Sequence, residues 1–173
     1  VEGVHKVKTG NLVKFAEQEL LDCVYEGKRD GCKGGWMHDA FKYMHTAQRL
    51  APHTAIKYRA RDGTCKYGRV ANGLQRKVSG YYEVPKDEAG HVSALSRGPI
   101  AVAFEVTSKT KQYKSGVLKD TTCKSWPNHA VTMVGYNAES FAIKNSWGGH
   151  WGDKGYVLSL IHISEPTRPE RIS

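Results

Sequence analysis

The chain lacks any apolar run approaching the roughly 18 residues that a membrane-spanning helix needs, so no membrane partner is expected. It opens Val1-Glu2-Gly3-Val4-His5, with no initiator methionine and no basic-then-apolar secretion signal, and is expected to be part of a longer polypeptide. Close C-x2-C or H-x3-H pairs are missing, which argues against a zinc site, and no cofactor is expected. An Asn-x-Ser/Thr acceptor is missing too: Asn145-Ser146-Trp147 has tryptophan where the hydroxyl residue would stand. Acidic charge is in short supply, leaving a formal net charge of +9. The basic residues are nevertheless scattered (Lys6, Lys8, Lys14, Lys28, Arg29, Lys57, Arg59, Arg61, Lys66, Arg69), and no nucleic-acid motif accompanies them. A solvated basic surface without a nucleic-acid partner is the expectation.

What is present is ordinary globular composition: 173 residues, 39% hydrophobic and 25% charged, enough for one core or two small lobes. Phe15 to Cys23 has the pattern of a short amphipathic helix, with Phe15, Leu20 and Leu21 as candidate buried positions. A Gly-rich loop follows and closes on Gly31-Cys32-Lys33-Gly34-Gly35. Trp36, Met37, Ala40, Phe41, Met44 and Ala47 then recur at helical spacing up to about Leu50, and Ala51-Pro52 ends that helix. His53 to Lys77 is polar and irregular. From Val78 the pattern turns to strands: Val78–Val84, Ile100–Val106, His129–Tyr136, Phe141–Ser146 and Gly155–Leu158, with a short helix over Glu88–Arg97 stopped by Gly98-Pro99. A helical half followed by a stranded half predicts an α+β protein of two lobes, residues 1–77 and 78–157. Residues 158–173 break the pattern. They match, codon by codon, the translation of a transposase sequencing adapter, and are expected to be a non-native scar.

Two stretches carry candidate chemistry. Lys144-Asn145-Ser146-Trp147-Gly148-Gly149-His150-Trp151-Gly152 places two tryptophans in a Gly-rich turn directly after an apolar strand. Asn128-His129-Ala130-Val131 places a histidine at the start of another. Each alone is more often structural than catalytic. Together they suit a hairpin that brings Asn145 beside His129.

With Glu17-Gln18-Glu19-Leu20-Leu21-Asp22-Cys23 and Gly31-Cys32-Lys33-Gly34-Gly35, these motifs resemble papain-family, cathepsin L-like cysteine endopeptidases. They stand in the family's order and spacing, and the similarity runs from Val1 to about Val157. The resemblance implies an incomplete papain-like fold, with a helical left lobe and an antiparallel β right lobe. It makes His129 the acid–base partner of a thiolate and Asn145 the group that orients the ring. Trp147 would cover the bond between them, and Trp151 would help floor the leaving-group side. Gly34 and Gly35 would offer backbone groups to an extended peptide. Trp36 and Met37, with Ala103 and Ala130, would line an apolar pocket for the second residue before the cut. Asn128 and Trp147 join them as substrate-binding positions. The partners implied are polypeptide substrates and propeptide or cystatin-like inhibitors, acting on a monomer.

The departures matter as much. In that family the signature C-G-[SA]-C-[WY] lies about 130–150 residues before the histidine, which puts the nucleophile at or before Val1. No cysteine here sits in such a signature, so the chain as printed is expected to be inactive. The resemblance pairs Cys23 with Cys65 and leaves Cys32 and Cys123 without partners in this chain. It also expects serine where Ala16 stands, capping the first helix together with Glu19; its loss would cost about 0.5–2 kcal/mol. The competing reading is a non-catalytic papain-like homologue that binds peptides or inhibitors. Disulfide use implies a lysosomal or extracellular location.

Overall fold

The computed structural model describes residues 1–24, 31–65, 78–122 and 127–160, and the backbone of 170–172. The chain divides into two compact units, Val1–Tyr81 with 172–173, and Tyr82–Arg171. This is the α+β composition expected: among the described residues the first unit is mainly helical, and the second carries most of the strands along with the helices Glu88–Leu95 and Ser108–Gln112.

Among the described residues, three helices build the first unit: α1 (Glu2–Thr9), α2 (Glu17–Cys23) and α3 (Met37–Ala47), with a 3-10 turn at Gly31–Lys33. The α1 helix was not legible in the sequence. It lies over a stretch whose only buried residue is Val4, and Glu2 ties it down by accepting the Phe15 N–H at 2.9 Å. Phe15, expected inside α2, instead pairs as an isolated bridge with Pro52, and α2 begins two residues later. The α3 helix stops at Ala47 because Gln48 turns left-handed, with φ 55°, before Pro52 is reached.

The burial of α2 differs from the expectation in kind. Phe15 is buried, but Leu20 and Leu21 are half-exposed, while Gln18, Glu19, Asp22 and Cys23 face inward. Inward polar groups are tolerable only when every donor and acceptor finds a partner. Gln18 accepts from the Arg59 N–H at 2.8 Å and donates to Arg61 O at 2.9 Å and Asp22 Oδ1 at 2.7 Å. Asp22 takes the Arg59 guanidinium at 2.6 Å. Hydrogen bonds thus hold the segment after Pro52 onto α2 where apolar packing would have been expected. The N-cap is Ala16, which has no side chain able to cap, and Glu19 reaches Tyr43 and Ala51 rather than back toward residue 16.

Cys23 is bonded to Cys65, closing a sequence separation of 42 across this unit, and Cys32 is an exposed free thiol. Cys123 lies outside the described residues. Burial, then the Asp62 carboxylate, pushes the Cys32 thiol up from its ordinary value. Closing a loop of this length restricts the unfolded chain, so Cys23→Ser should lower stability by about 2–4 kcal/mol. Urea denaturation with and without reductant checks this: the parent should lose the same amount on reduction, and a mutant that equals the oxidised parent would refute it.

The second unit contains β1 (Tyr81–Glu83, beginning one residue before it), α4 (Glu88–Leu95), β2 (Ile100–Phe104), α5 (Ser108–Gln112), β3 (Val117–Leu118), β4 (His129–Tyr136), β5 (Ser140–Lys144), β6 (Tyr156–Leu160) and β7 (Glu170–Ile172). Sheet order is β1-β7-β2-β4-β5-β6-β3. The central ladders β2–β4, β4–β5 and β5–β6 are antiparallel, as expected, but β3 joins β6 in parallel. The strands stop short of the ends that the sequence pattern suggested: β1 at Glu83, β2 at Phe104 and β5 at Lys144. Residues 158–160, within the expected scar, continue β6 opposite β5.

The core lies on one face of this sheet: Ile100, Val102 and Phe104 from β2, Val131 and Met133 from β4, Phe141 and Ile143 from β5, and Val157 from β6. Alternation with period two puts these side chains inward, each burial being worth about 1.5–3 kcal/mol. His129 shares the inward parity of Val131 and Met133. It therefore sits at the end of a rigid apolar row. The α5 helix is set by a capping box between Thr107 and Thr110, and Thr107 also donates to the buried Asp120. Burial alone would raise the Asp120 carboxyl, but bonds from Thr107 and Thr122 and the charge of Lys109 hold it below its ordinary value.

Candidate active site

Register explains how the site forms. Thr132 stands opposite Lys144 in the β4–β5 ladder. Continued past the end of β5, that antiparallel register brings the 145–147 turn level with the start of β4. The turn is closed by its own backbone: Asn145 N–H donates to Gly155 O at 2.9 Å, and Gly155 N–H to Trp151 O at 2.8 Å. Gly152 has φ 57°, and a Cβ there would come within 2.5 Å of Tyr156 O, so this corner admits only glycine.

His129 and Asn145 meet in this arrangement, with Nε2 at 2.8 Å from Asn145 Oδ1. The amide orientation follows from its second partner. Asn145 Oδ1 also accepts the Ser146 N–H at 2.7 Å, and a backbone N–H can only donate. An accepting oxygen facing Nε2 requires the proton on Nε2. The neutral ring is therefore the tautomer with Nδ1 unprotonated and available as a base. Asn145 is 8% exposed, and the Trp147 ring stacks on the imidazole with centroids 5.0 Å apart and planes at 29°. Trp147 is in turn met edge-on by Trp151 at 5.0 Å, and Trp151 rests on Tyr113 at 5.8 Å. Trp151 thereby belongs to the margin of the β core.

The remaining sequence-predicted residues divide between the units. Ala103 and Ala130 are direct partners in the β2–β4 ladder, on the face opposite His129; Ala103 is buried and Ala130 exposed. Asn128 locks the entry of β4, donating its N–H to Phe104 O at 3.1 Å and accepting the Val106 N–H on Oδ1 at 2.8 Å. In the first unit, Gly34, Gly35, Trp36 and Met37 form the run into α3. Gly34 has φ 111°, and a Cβ there would meet nothing within 4 Å, so the space above its backbone is open to a ligand. Trp36 is 51% exposed and stacks on His38, which removes it from the helix's core face; Met37 is half-buried. Among the described residues no group of acidic, histidine and cysteine side chains could hold a metal. Phe104 escaped the sequence reading. It is the ladder partner of His129, with ring centroids 5.7 Å apart. Its signal was there only as one more apolar residue in a strand.

A histidine bonded to an amide oxygen under an indole, on adjacent antiparallel strands, has the geometry that an acid–base group needs beside a side-chain nucleophile. Comparison with known proteins gives the class its name. The model of the papain family cysteine protease matches residues 1–165. Stem bromelain of Ananas comosus is 38% identical over 165 residues, covering 95% of this chain and 75% of the relative. Digestive cysteine proteinase 2 of Homarus americanus is also 38% identical over 165 residues, covering 91% of this chain but 50% of the relative. Among solved structures, the bromelain protease from Ananas comosus in complex with the E64 inhibitor superposes with a TM-score of 0.87 at 32% identity, over 100% of this chain and 84% of that one. Digestive procathepsin L 3 of the Tenebrio molitor larval midgut gives 0.87 at 30% identity, over 98% and 58%. The chain belongs to the papain family of cysteine proteases and has a papain-like fold. It spans half to three quarters of the length of these two curated relatives.

Proposed function

We propose that the protein carrying this chain is a cysteine-type endopeptidase in which His129 is the general acid and base and Asn145 orients it. The observation that carries this is the 2.8 Å bond from Nε2 to Asn145 Oδ1 under Trp147. With Nε2 committed to the amide, Nδ1 takes the proton of a cysteine thiol, giving a thiolate–imidazolium pair. The thiolate adds to the scissile carbonyl carbon. As the C–N bond breaks, Nδ1–H protonates the leaving amine and an acyl-enzyme remains. Nδ1 then takes a proton from water, whose oxygen attacks the thioester; the acid departs and the thiolate returns. The thiol comes from a segment outside these 173 residues, since none of the four cysteines stands in the family's nucleophile signature. The chain as printed is therefore without turnover.

The substrate is an extended polypeptide, paired along the backbone at Gly34 and Gly35. Trp36, Met37, Ala103 and Ala130 favour an apolar side chain two residues before the cut, and Asn128 and Trp147 contact the chain near the reacting bond. E64, the ligand named for the bromelain structure, and the proform of the Tenebrio structure support inhibitors and a propeptide as partners here. The Cys23–Cys65 bond supports a lysosomal or extracellular site of action.

The test is a complete clone. Joined to its upstream sequence, the protein should cleave a fluorogenic peptide with Leu or Phe at the second position before the cut, and the 173-residue chain should not. Serine or glycine at the nucleophile position, with peptide binding but no cleavage, would replace this reading by that of a non-catalytic relative.

A further inference from the structure

We infer that Phe104 is a positioning residue for His129, closing the side of the imidazole that Trp147 leaves open. This deepens the endopeptidase reading and rests on it. Trp147 stacks on the ring at 5.0 Å with planes at 29°, while Phe104 meets it at 5.7 Å with planes at 65°. Directly opposed residues on antiparallel strands have Cβ atoms about 4.5–5.5 Å apart, so the two rings meet by register rather than by a chance rotamer.

The backbone around both rings is clamped on either side. Asn128 N–H donates to Phe104 O at 3.1 Å, and Asn128 Oδ1 accepts the Val106 N–H at 2.8 Å. Phe104 is 6% exposed and belongs to the core row of Val102 and Ile100. Its ring cannot retreat without opening that row. An imidazole attached through one Cβ can still turn about its Cβ–Cγ bond. One hydrogen bond to Asn145 restrains that turn weakly if water competes for the amide oxygen. An indole stacked on the imidazole and a phenyl ring meeting it at 65° restrict the remaining freedom and the room for water beside Nε2–H. Leucine at 104 would fill much of the volume, but it has no flat ring to set the plane of the imidazole.

Two measurements test this. In the 173-residue chain, which needs no nucleophile for the purpose, the His129 Nε2–H proton should give a downfield NMR resonance. In Phe104→Leu its exchange with water should rise about tenfold or more, while Phe104→Tyr, which keeps the ring, stays near the parent. Val102→Ala, a cavity on the same strand and face, should leave that proton protected although it destabilises the core. In the complete enzyme Phe104→Leu should lower kcat by about tenfold, with KM within about twofold, as expected for a misoriented acid–base group. Equal exchange in the parent and Phe104→Leu, or an equal increase in Val102→Ala, overturns the inference. A complete clone without hydrolysis would remove the endopeptidase reading and leave the exchange result to decide the role of Phe104.

Discussion

Replacing His129 by alanine in the complete protein should lower kcat/KM for peptide cleavage by at least about 10³-fold, or about 4 kcal/mol of transition-state stabilisation. On the roles proposed for it, two steps should fail together: the thiol loses the base that ionises it, and the leaving amine loses its acid. The loss should fall on kcat, because neither role is exercised in ground-state binding. Asn145→Ala separates orientation from chemistry. It keeps the imidazole but removes the acceptor on Nε2, freeing the ring and its tautomer, so its loss should be clear but smaller than that of His129→Ala. The two losses should not add, since without the imidazole there is nothing left for Asn145 to orient. Initial rates for the two single variants and the double variant check this. A His129→Ala enzyme within tenfold of the parent would mean that another group moves the proton.

The meeting of His129 with Asn145 was legible in the sequence because its signals are local. A histidine opening an apolar run and an asparagine closing the next one are brought together by a single hairpin, and register does the rest. Phe104 was missed for the opposite reason. Its role depends on which strand lies beside β4, and a strand order of β2-β4-β5 is not written in any window of residues. The parallel β3–β6 pair is likewise a product of sheet topology. In the first unit, the failure at α2 came from treating apolarity as the only route to burial. Leu20 and Leu21 are the most hydrophobic residues of that helix, yet the inward face is Gln18, Glu19 and Asp22. Polar residues go inside when a distant segment supplies their partners, here Arg59 to Arg61, Tyr43 and Ala51, and periodicity has no access to that segment.

That polar face makes Glu19 a sensitive position of the helical unit. Its side chain is 0% exposed. Oε1 accepts the Tyr43 hydroxyl at 2.9 Å and stands 3.9 Å from the Arg49 guanidinium, while Oε2 accepts the Ala51 N–H at 2.8 Å. Burial, and then the Glu19 charge and hydrogen bond, push the Tyr43 hydroxyl well above the usual phenol range, so it remains a donor. Ala51 belongs to the small core of Ala16 and Ile56, and its carbonyl takes the Ala16 N–H at 2.9 Å. One carboxylate thus fastens α3 and the segment after it to the start of α2. Glu19→Ala removes the acceptor from the buried Ala51 N–H and from the partly buried Tyr43 hydroxyl, and leaves Arg49 without its carboxylate, so it should cost about 3–5 kcal/mol, a large part of a domain's whole stability. Glu19→Gln recovers less than half of that, because its NH2 must face a donor where an oxygen is needed. Tyr43→Phe removes one donor and leaves Oε1 near Arg49, so it should cost only about 1 kcal/mol. Urea midpoints for the three variants should therefore fall in the order Tyr43→Phe, Glu19→Gln, Glu19→Ala. A Glu19→Ala loss below about 1 kcal/mol would mean that water or another acceptor serves these donors, and that apolar packing rather than this carboxylate holds the helical unit together.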